Sequence, residues 1–170
     1  MQKLAWNSFT KKIYIKSTKE KLFWSWATEE GICSWFLRSA EYKRNGNNIE
    51  PQEFVKAGDA YTWMWHNWDE QEEGTILEVQ KNEFIRFSFA GNCEVLVTLE
   101  QQDDAVLVSL AQTKIPEDEK SKLQIFYGCS NGWTFWLVNL KAYLEHGILL
   151  NETEIDLQGF DLAGYEFVNM

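Results

Sequence analysis

The chain is poor in the residues that most often carry chemistry. Two histidines, His66 and His146, and three cysteines, Cys33, Cys93 and Cys129, are spread over 170 residues. No H-x-x-x-H or C-x-x-C spacing occurs, so neighbouring residues assemble neither a zinc site nor a redox pair, and no metal or cofactor is expected. Three widely separated cysteines also make no disulfide framework, which points to a reducing, cytoplasmic setting. Long apolar runs are missing as well. Nothing approaches the roughly 18 apolar residues of a membrane span, and Met1 to Ser8 has no apolar core of signal-peptide length. Basic charge is scarce: the formal net charge is −10. Nucleic acid and anionic membranes, which require a concentrated basic surface, are therefore not expected partners. The lysines at positions 11, 12, 16, 19 and 21 are local and read as a solvated face.

Aromatic residues are abundant instead: nine Trp, eleven Phe and six Tyr. Flat rings suit either a dense core or the wall of an apolar pocket, and composition alone does not separate the two. Their clearest concentration lies between Gly132 and Gly147. There Trp133, Trp136, Leu137, Leu140, Tyr143 and Leu144 recur at three- and four-residue steps, predicting an amphipathic helix with Gly147 as its left-handed C-cap.

Upstream, Ser8 to Lys16 alternates and reads as a strand, after which Ser17 or Thr18 caps a short helix running to about Ala27. A second short helix is expected over Ile32 to Leu37. Strands follow: Tyr61 to Trp68 with Tyr61, Trp63 and Trp65 on one face, Thr75 to Gln80, Glu83 to Ala90, Cys93 to Gln101, and Ala105 to Thr113. Asp69 to Gly74 reads as an acidic turn between two of them, and Lys81-Asn82 as a hairpin turn. Pro116 to Glu119 opens a helical region, and Leu123 to Tyr127 either continues it or forms a strand. Asn151 to Met170 holds no Lys or Arg and reads as an irregular tail. The order predicts an α+β fold: a strand, two short helices, about six further antiparallel strands, and a long C-terminal helix that the curved sheet wraps. Residues 1–170 read as one domain, with a core over about 8–148 and a tail over 149–170.

Gly128-Cys129-Ser130-Asn131-Gly132 matches the G-x-S-x-G nucleophile elbow. The only later histidine is His146, on the same predicted helix and roughly 20 Å away by the helical rise. The stretch reads instead as a helix start, with Ser130 or Asn131 as N-cap and Gly132 for close packing. His66, beside Trp65 and Trp68, reads as a structural histidine. Arg86 points to solvent if Ile85, Phe87 and Phe89 face the helix. Glu78 and Glu94 read as outer-face carboxylates. No catalytic residue is assigned.

Three stretches taken in order resemble a known family. They are the turn Trp26-Ala27-Thr28-Glu29-Glu30-Gly31-Ile32-Cys33-Ser34-Trp35-Phe36, the segment Gly58-Asp59-Ala60-Tyr61-Thr62-Trp63, and Gly132-Trp133 followed by Leu137, Leu140 and Leu144. The chain is similar to the START-like superfamily, also called SRPBCC, and most to the family of the C-terminal domain of the activator of heat-shock-protein-90 ATPase. The resemblance implies a helix-grip fold, in which the sheet grips the last helix around an apolar cavity. Superfamily members bind lipids, sterols, polyketides or plant hormones, and some catalyse cyclisation or dehydration. The separate N-terminal domain of the eukaryotic co-chaperone has no counterpart here, which argues against a chaperone partner.

The leading expectation is a protein that binds a small hydrophobic ligand. Its cavity would be lined by Trp63, Trp65, Phe87 and Phe89 from the sheet and by Trp133, Trp136 and Leu140 from the helix. Two rival expectations are an enzyme or accessory factor acting on an aromatic or polyketide-like substrate in the same cavity, and a protein-interaction module. Monomer and homodimer are both open.

Overall fold

Strand β1 (Phe9–Ile15) leads into helix α1 (Lys19–Ala27), which Thr18 starts by accepting the Lys21 amide on its hydroxyl. Thr28 then serves two helices at once. Its Oγ1 donates to the Trp24 carbonyl at 2.9 Å and accepts the Gly31 amide at 2.9 Å, closing α1 and opening α2 (Glu29–Cys33). The turn between them is so tight that a Cβ at Gly31 would lie 2.0 Å from the Trp24 carbonyl oxygen. This helix begins at Glu29, earlier than the sequence suggests, because the capping threonine is shared. Trp35 and Phe36 follow it in a turn. The computed structural model describes residues 5–170. Met1 to Leu4, on which part of the leaderless reading rests, lie outside them.

The remaining strands are β2 (Ser39–Arg44), β3 (Asn47–Asn48), β4 (Ala60–Met64), β5 (Gln71–Gln80), β6 (Phe84–Phe89), β7 (Cys93–Gln102) and β8 (Ala105–Thr113). They form one antiparallel sheet in the order β1-β8-β7-β6-β5-β4-β2-β3. The opening of β4 is fixed by Asp59, which is buried and takes Arg44 in two hydrogen bonds, Nε to Oδ1 at 2.9 Å and Nη2 to Oδ2 at 2.7 Å. The segment Asp69 to Gly74, read as an acidic turn, is instead mostly strand: β5 begins at Gln71, and Glu72 and Gly74 pair with Trp63 and Tyr61. Gly74 is needed there, since a Cβ would sit 2.6 Å from the Tyr61 ring. A bulge after Ile76 shifts the β5 register against β6. Ile85 and Phe87 face inward, while Arg86 faces outward beside Glu78 at 3.5 Å.

Helix α3 (Glu119–Ser121), capped by Asp118, runs through a π-helical turn (Lys122–Tyr127) into α4 (Gly128–His146). The helix therefore has no start at Ser130 or Asn131; Ser130 is already helical, and its carbonyl accepts the Thr134 hydroxyl. Gly147 closes α4 with φ of 68°, its amide reaching the Tyr143 carbonyl at 2.8 Å. Helix α4 touches strands toward both ends of the sheet order. Lys141 Nζ donates to the Tyr14 carbonyl of β1 at 2.7 Å, and the Trp136 ring lies 5.9 Å from that of Trp63 in β4. Contact with strands so far apart in the sheet order requires the sheet to curve around the helix.

The core gathers on Trp136, which is 4 % exposed. Its ring centroid lies 3.9 Å from Phe36, 4.7 Å from Trp133, 5.6 Å from Trp35 and 6.1 Å from Trp26. Buried Asn139 adds a polar staple, donating to the Trp35 carbonyl at 2.6 Å and accepting the Leu150 amide at 2.7 Å. Residues 149–170 then cross the open end of the sheet. Leu157 and Ala163 are buried, Asn67 is bonded to the backbone at Ile155 and Leu157, and a short helix α5 (Ala163–Glu166) follows. Trp136→Ala is expected to destabilise the protein by about 3–5 kcal/mol, the usual cost of truncating a buried Trp. An unaltered denaturant midpoint in that variant would show that the ring cluster does not hold α4.

Candidate functional site

A cavity of about 860 Å³ opens where the ring cluster ends, between the first half of α4, the neighbouring ends of β5 and β6, and residues 164–170. Its size is that of a site for a small organic molecule, which falls in roughly the 300–1,000 Å³ range. Three features of the sequence create it. Gly128 and Gly132, one turn apart on α4, both face the space. A Cβ built at Gly132 would meet nothing within 4 Å, so this glycine leaves room rather than permitting close packing. The π-helical turn brings Gln124 and Tyr127 to the wall, and Tyr127 faces Tyr165 at 6.4 Å across an interplanar angle of 12°. Beyond the end of β4, Trp65 and Trp68 stack at 6.3 Å and form one side.

The residues named from the sequence as cavity lining divide into two groups. Trp65, Phe89, Trp133 and Trp136 line the cavity. Trp63, Phe87 and Leu140 sit behind it in closed packing, where Trp63 and Phe87 meet edge to face at 5.3 Å and Phe87 lies 6.3 Å from Trp133. The opening thus lies toward the start of α4 and the outer end of the sheet, and the middle of the sheet–helix interface is filled.

The wall also carries polar groups that the sequence reading passed over. Glu72 is the principal one. Strand alternation puts Glu72, Gly74 and Ile76 on the inner face of β5, so its carboxylate turns inward while Gln71 and Glu73 are on the other face. One carboxylate oxygen accepts the Ala90 amide at 2.7 Å. Burial pushes its pKa up, against the downward pull of that amide. The signal is the two-residue alternation itself, hidden by the turn-like composition of Asp69 to Gly74. Glu70 lies on the same wall, and neither acid is in an ion pair among the described residues.

Cys129 also borders the cavity, but burial pushes its thiol pKa up to about 12, so it is not a thiolate at neutral pH. Gln112, fully buried beneath it, accepts the Trp133 Nε1 proton at 2.8 Å. His66 is half-buried away from this wall, and burial together with Arg38 lowers its pKa. Ser130 sits inside a continuous helix and His146 at that helix's far end, so the nucleophile-elbow geometry is absent. Among the described residues, no group of three His, Cys, Asp or Glu is placed to hold a metal ion, and no helix is long and apolar enough to cross a membrane.

A curved antiparallel sheet gripping a long helix, with a cavity at their junction, defines the START-like class. The chain belongs to the Activator of Hsp90 ATPase homolog 1-like protein family, whose family model matches residues 16–145. Solved structures share the fold at low identity. Protein SSP2350 from Staphylococcus saprophyticus is 20% identical with a TM-score of 0.66, covering 84% of this chain and 94% of its own. The Aha1 dimer from Colwellia psychrerythraea is 18% identical with a TM-score of 0.64, covering 82% and 97%. DynU16, a protein of the dynemicin biosynthetic locus, is 14% identical with a TM-score of 0.60, covering 83% of this chain and 48% of its own. A comparison with curated proteins finds no match.

The raised pKa of Glu72 has a consequence for stability. A carboxyl whose pKa is higher folded than unfolded contributes most below its unfolded pKa, and that contribution is lost as pH rises through the folded value. Glu72→Gln is therefore expected to gain stability relative to the parent on going from about pH 4 to about pH 7. Denaturant melts of both proteins at the two pH values test this, and a difference that does not change with pH would refute it.

Proposed function

We propose that this protein binds a small hydrophobic ligand in the cavity at the start of α4. The observation that carries the reading is an open space of about 860 Å³ walled by Trp65, Phe89, Trp133 and Trp136 in a domain whose core is otherwise closely packed. Apolar walls with a few polar groups are the usual composition of a small-molecule site. Residues 149–170 belong to the same unit in this reading, because Tyr165, Phe167 and Val168 supply the outer wall. Family membership supports ligand binding as a class of function. Cys129 is held as a thiol and no base is paired with Glu72 among the described residues, so the wall favours binding over catalysis.

A ligand bound only to the folded state stabilises it by about 2.7 kcal/mol at a hundredfold excess over its dissociation constant. Thermal-shift screening of sterols, flavonoids, fatty acids, aromatic amines and polyketide-like aromatics is expected to yield a ligand that raises the melting temperature and quenches Trp fluorescence. Gly132→Phe is the paired control. Its ring has open space to enter, and replacing a helical glycine by another residue is favourable by a few tenths of a kcal/mol. The variant is expected to fold with an unreduced melting temperature and to lose the ligand-induced shift. Full retention of the shift in Gly132→Phe, or no shift with any compound, would overturn the reading.

A further inference from the structure

We infer that the ligand of this cavity is an organic cation: an aromatic or otherwise apolar molecule carrying an ammonium group, seated with its charge between the ring faces and the carboxylates of Glu70 and Glu72. The inference rests on the ligand-binding reading above and adds the charge of the ligand to it.

The wall contains two carboxylates and no Lys, Arg or His. Glu78, on the same strand as Glu72 but facing outward, is met by Arg86, and Glu94 on β7 is met by Lys114. Glu72 is held in place by the Ala90 amide on one oxygen, and the other oxygen has no protein partner among the described residues. A carboxylate turned inward, half-buried and lacking a cation is costly to keep ionised, and an ammonium in the cavity would supply the missing charge.

The rings are suited to the same group. The face of an aromatic ring carries negative potential and attracts a cation within about 6 Å, most strongly for Trp. Half-buried Trp65 and Trp68 stack on this wall beside half-buried Phe89, with buried Trp133 and Trp136 behind them, so indole and phenyl rings bound one end of the space. The space also continues into a second hollow of about 760 Å³ that shares Trp68, Glu70 and Tyr165, and it too has no cationic side chain on its wall. Here Asp69 is already met by Arg38 at 2.9 Å, but Asp161 is in no ion pair among the described residues. The segment covering both hollows, Asn151 to Met170, has five acids and no Lys or Arg. Apart from Arg38 beside Asp69, the charged groups around the two hollows are acids. A carboxylate-bearing ligand such as a fatty acid would enter against that field.

Three probes with one ring system separate the possibilities: naphthylmethyl-trimethylammonium, naphthylmethanol and naphthylacetate, titrated into the full chain by isothermal calorimetry. The ammonium is expected to bind about tenfold or more tightly than the alcohol, and the carboxylate more weakly than either. In Glu72→Gln combined with Glu70→Gln, the preference for the ammonium over the alcohol is expected to fall below about threefold, with the affinity for the alcohol retained. Gln at position 72 keeps an acceptor for the Ala90 amide, and a circular-dichroism melt checks the fold. Equal binding of all three probes, tighter binding of the carboxylate, or an ammonium preference that survives both substitutions would overturn the inference and leave the ligand-binding reading standing. Failure of every probe to bind would count against both.

Discussion

The architecture depends on the meeting of four indoles, Trp26, Trp35, Trp133 and Trp136, contributed by α1, the turn after α2, and α4. No two of these elements are adjacent strands, so no backbone ladder joins them; ring packing does, helped by single bonds such as that from Asn139 to the Trp35 carbonyl. Trp26 and Trp136 lie nearly parallel, with 19° between their planes, while Trp35 meets Trp136 edge on at 85°. Offset and edge-to-face contacts of this kind are each worth about 0.5–1.5 kcal/mol beyond area burial. Removal of one ring would leave the others without partners on that side, so α4, the helical pair and β4 share one set of contacts. Polar groups then fix the register that the rings alone would leave loose. Trp35 Nε1 donates to the Ser25 carbonyl at 2.9 Å, Trp63 Nε1 to the Tyr42 hydroxyl at 3.1 Å, and Trp133 Nε1 to Gln112.

The cavity follows from where that cluster stops. Flat rings crossing at large angles close space well only when smaller groups fill the corners. In the middle of the sheet Val95, Val97, Val108 and Leu110 do so, and all are fully or nearly fully buried. At the outer end, β5 offers Glu72 on its inner face, and α4 offers Gly128 and Gly132. None of these fills a corner. The gap is thus a consequence of which residues occupy the last turns of the inner face, and it needs no distortion of the helix-grip fold.

Much of this was legible in the sequence, for reasons that differ by element. The helix from Gly132 to Gly147 and the strand Ala105 to Thr113 carry strong periodicity and clear stop signals, and both lie where the pattern puts them. The helix-grip order followed from the resemblance of three separated stretches. The start of α4 was not legible, because Gly128 and Gly132 look like punctuation, whereas the preceding π-helical turn carries the helix straight through them. Glu72 was hidden by composition. Four acids and a Gln around one glycine resemble a solvated turn, and only pairing with β4 shows that alternate members face inward. The wall contributed by Tyr165, Phe167 and Val168 has no periodicity to read. Its position is set by long-range bonds from Asn67 and Asn139, which local patterns do not reveal.

Placement of acidic residues links the stability of this chain to the shape of its cavity wall. A net charge of −10 could be distributed evenly, yet the inner face of the sheet receives one inward carboxylate and the covering segment receives no cation at all. Burying Glu72 costs folding free energy, since the unfolded chain would leave that carboxylate in water. A core built around four indoles can tolerate the cost, and the cavity gains in return a fixed negative group backed by the Ala90 amide. The desolvation cost is retained at one point and offset by packing elsewhere. Charge held by the Ala90 amide in a strand stays in place, while rings from both the sheet and α4 supply the area that excludes water.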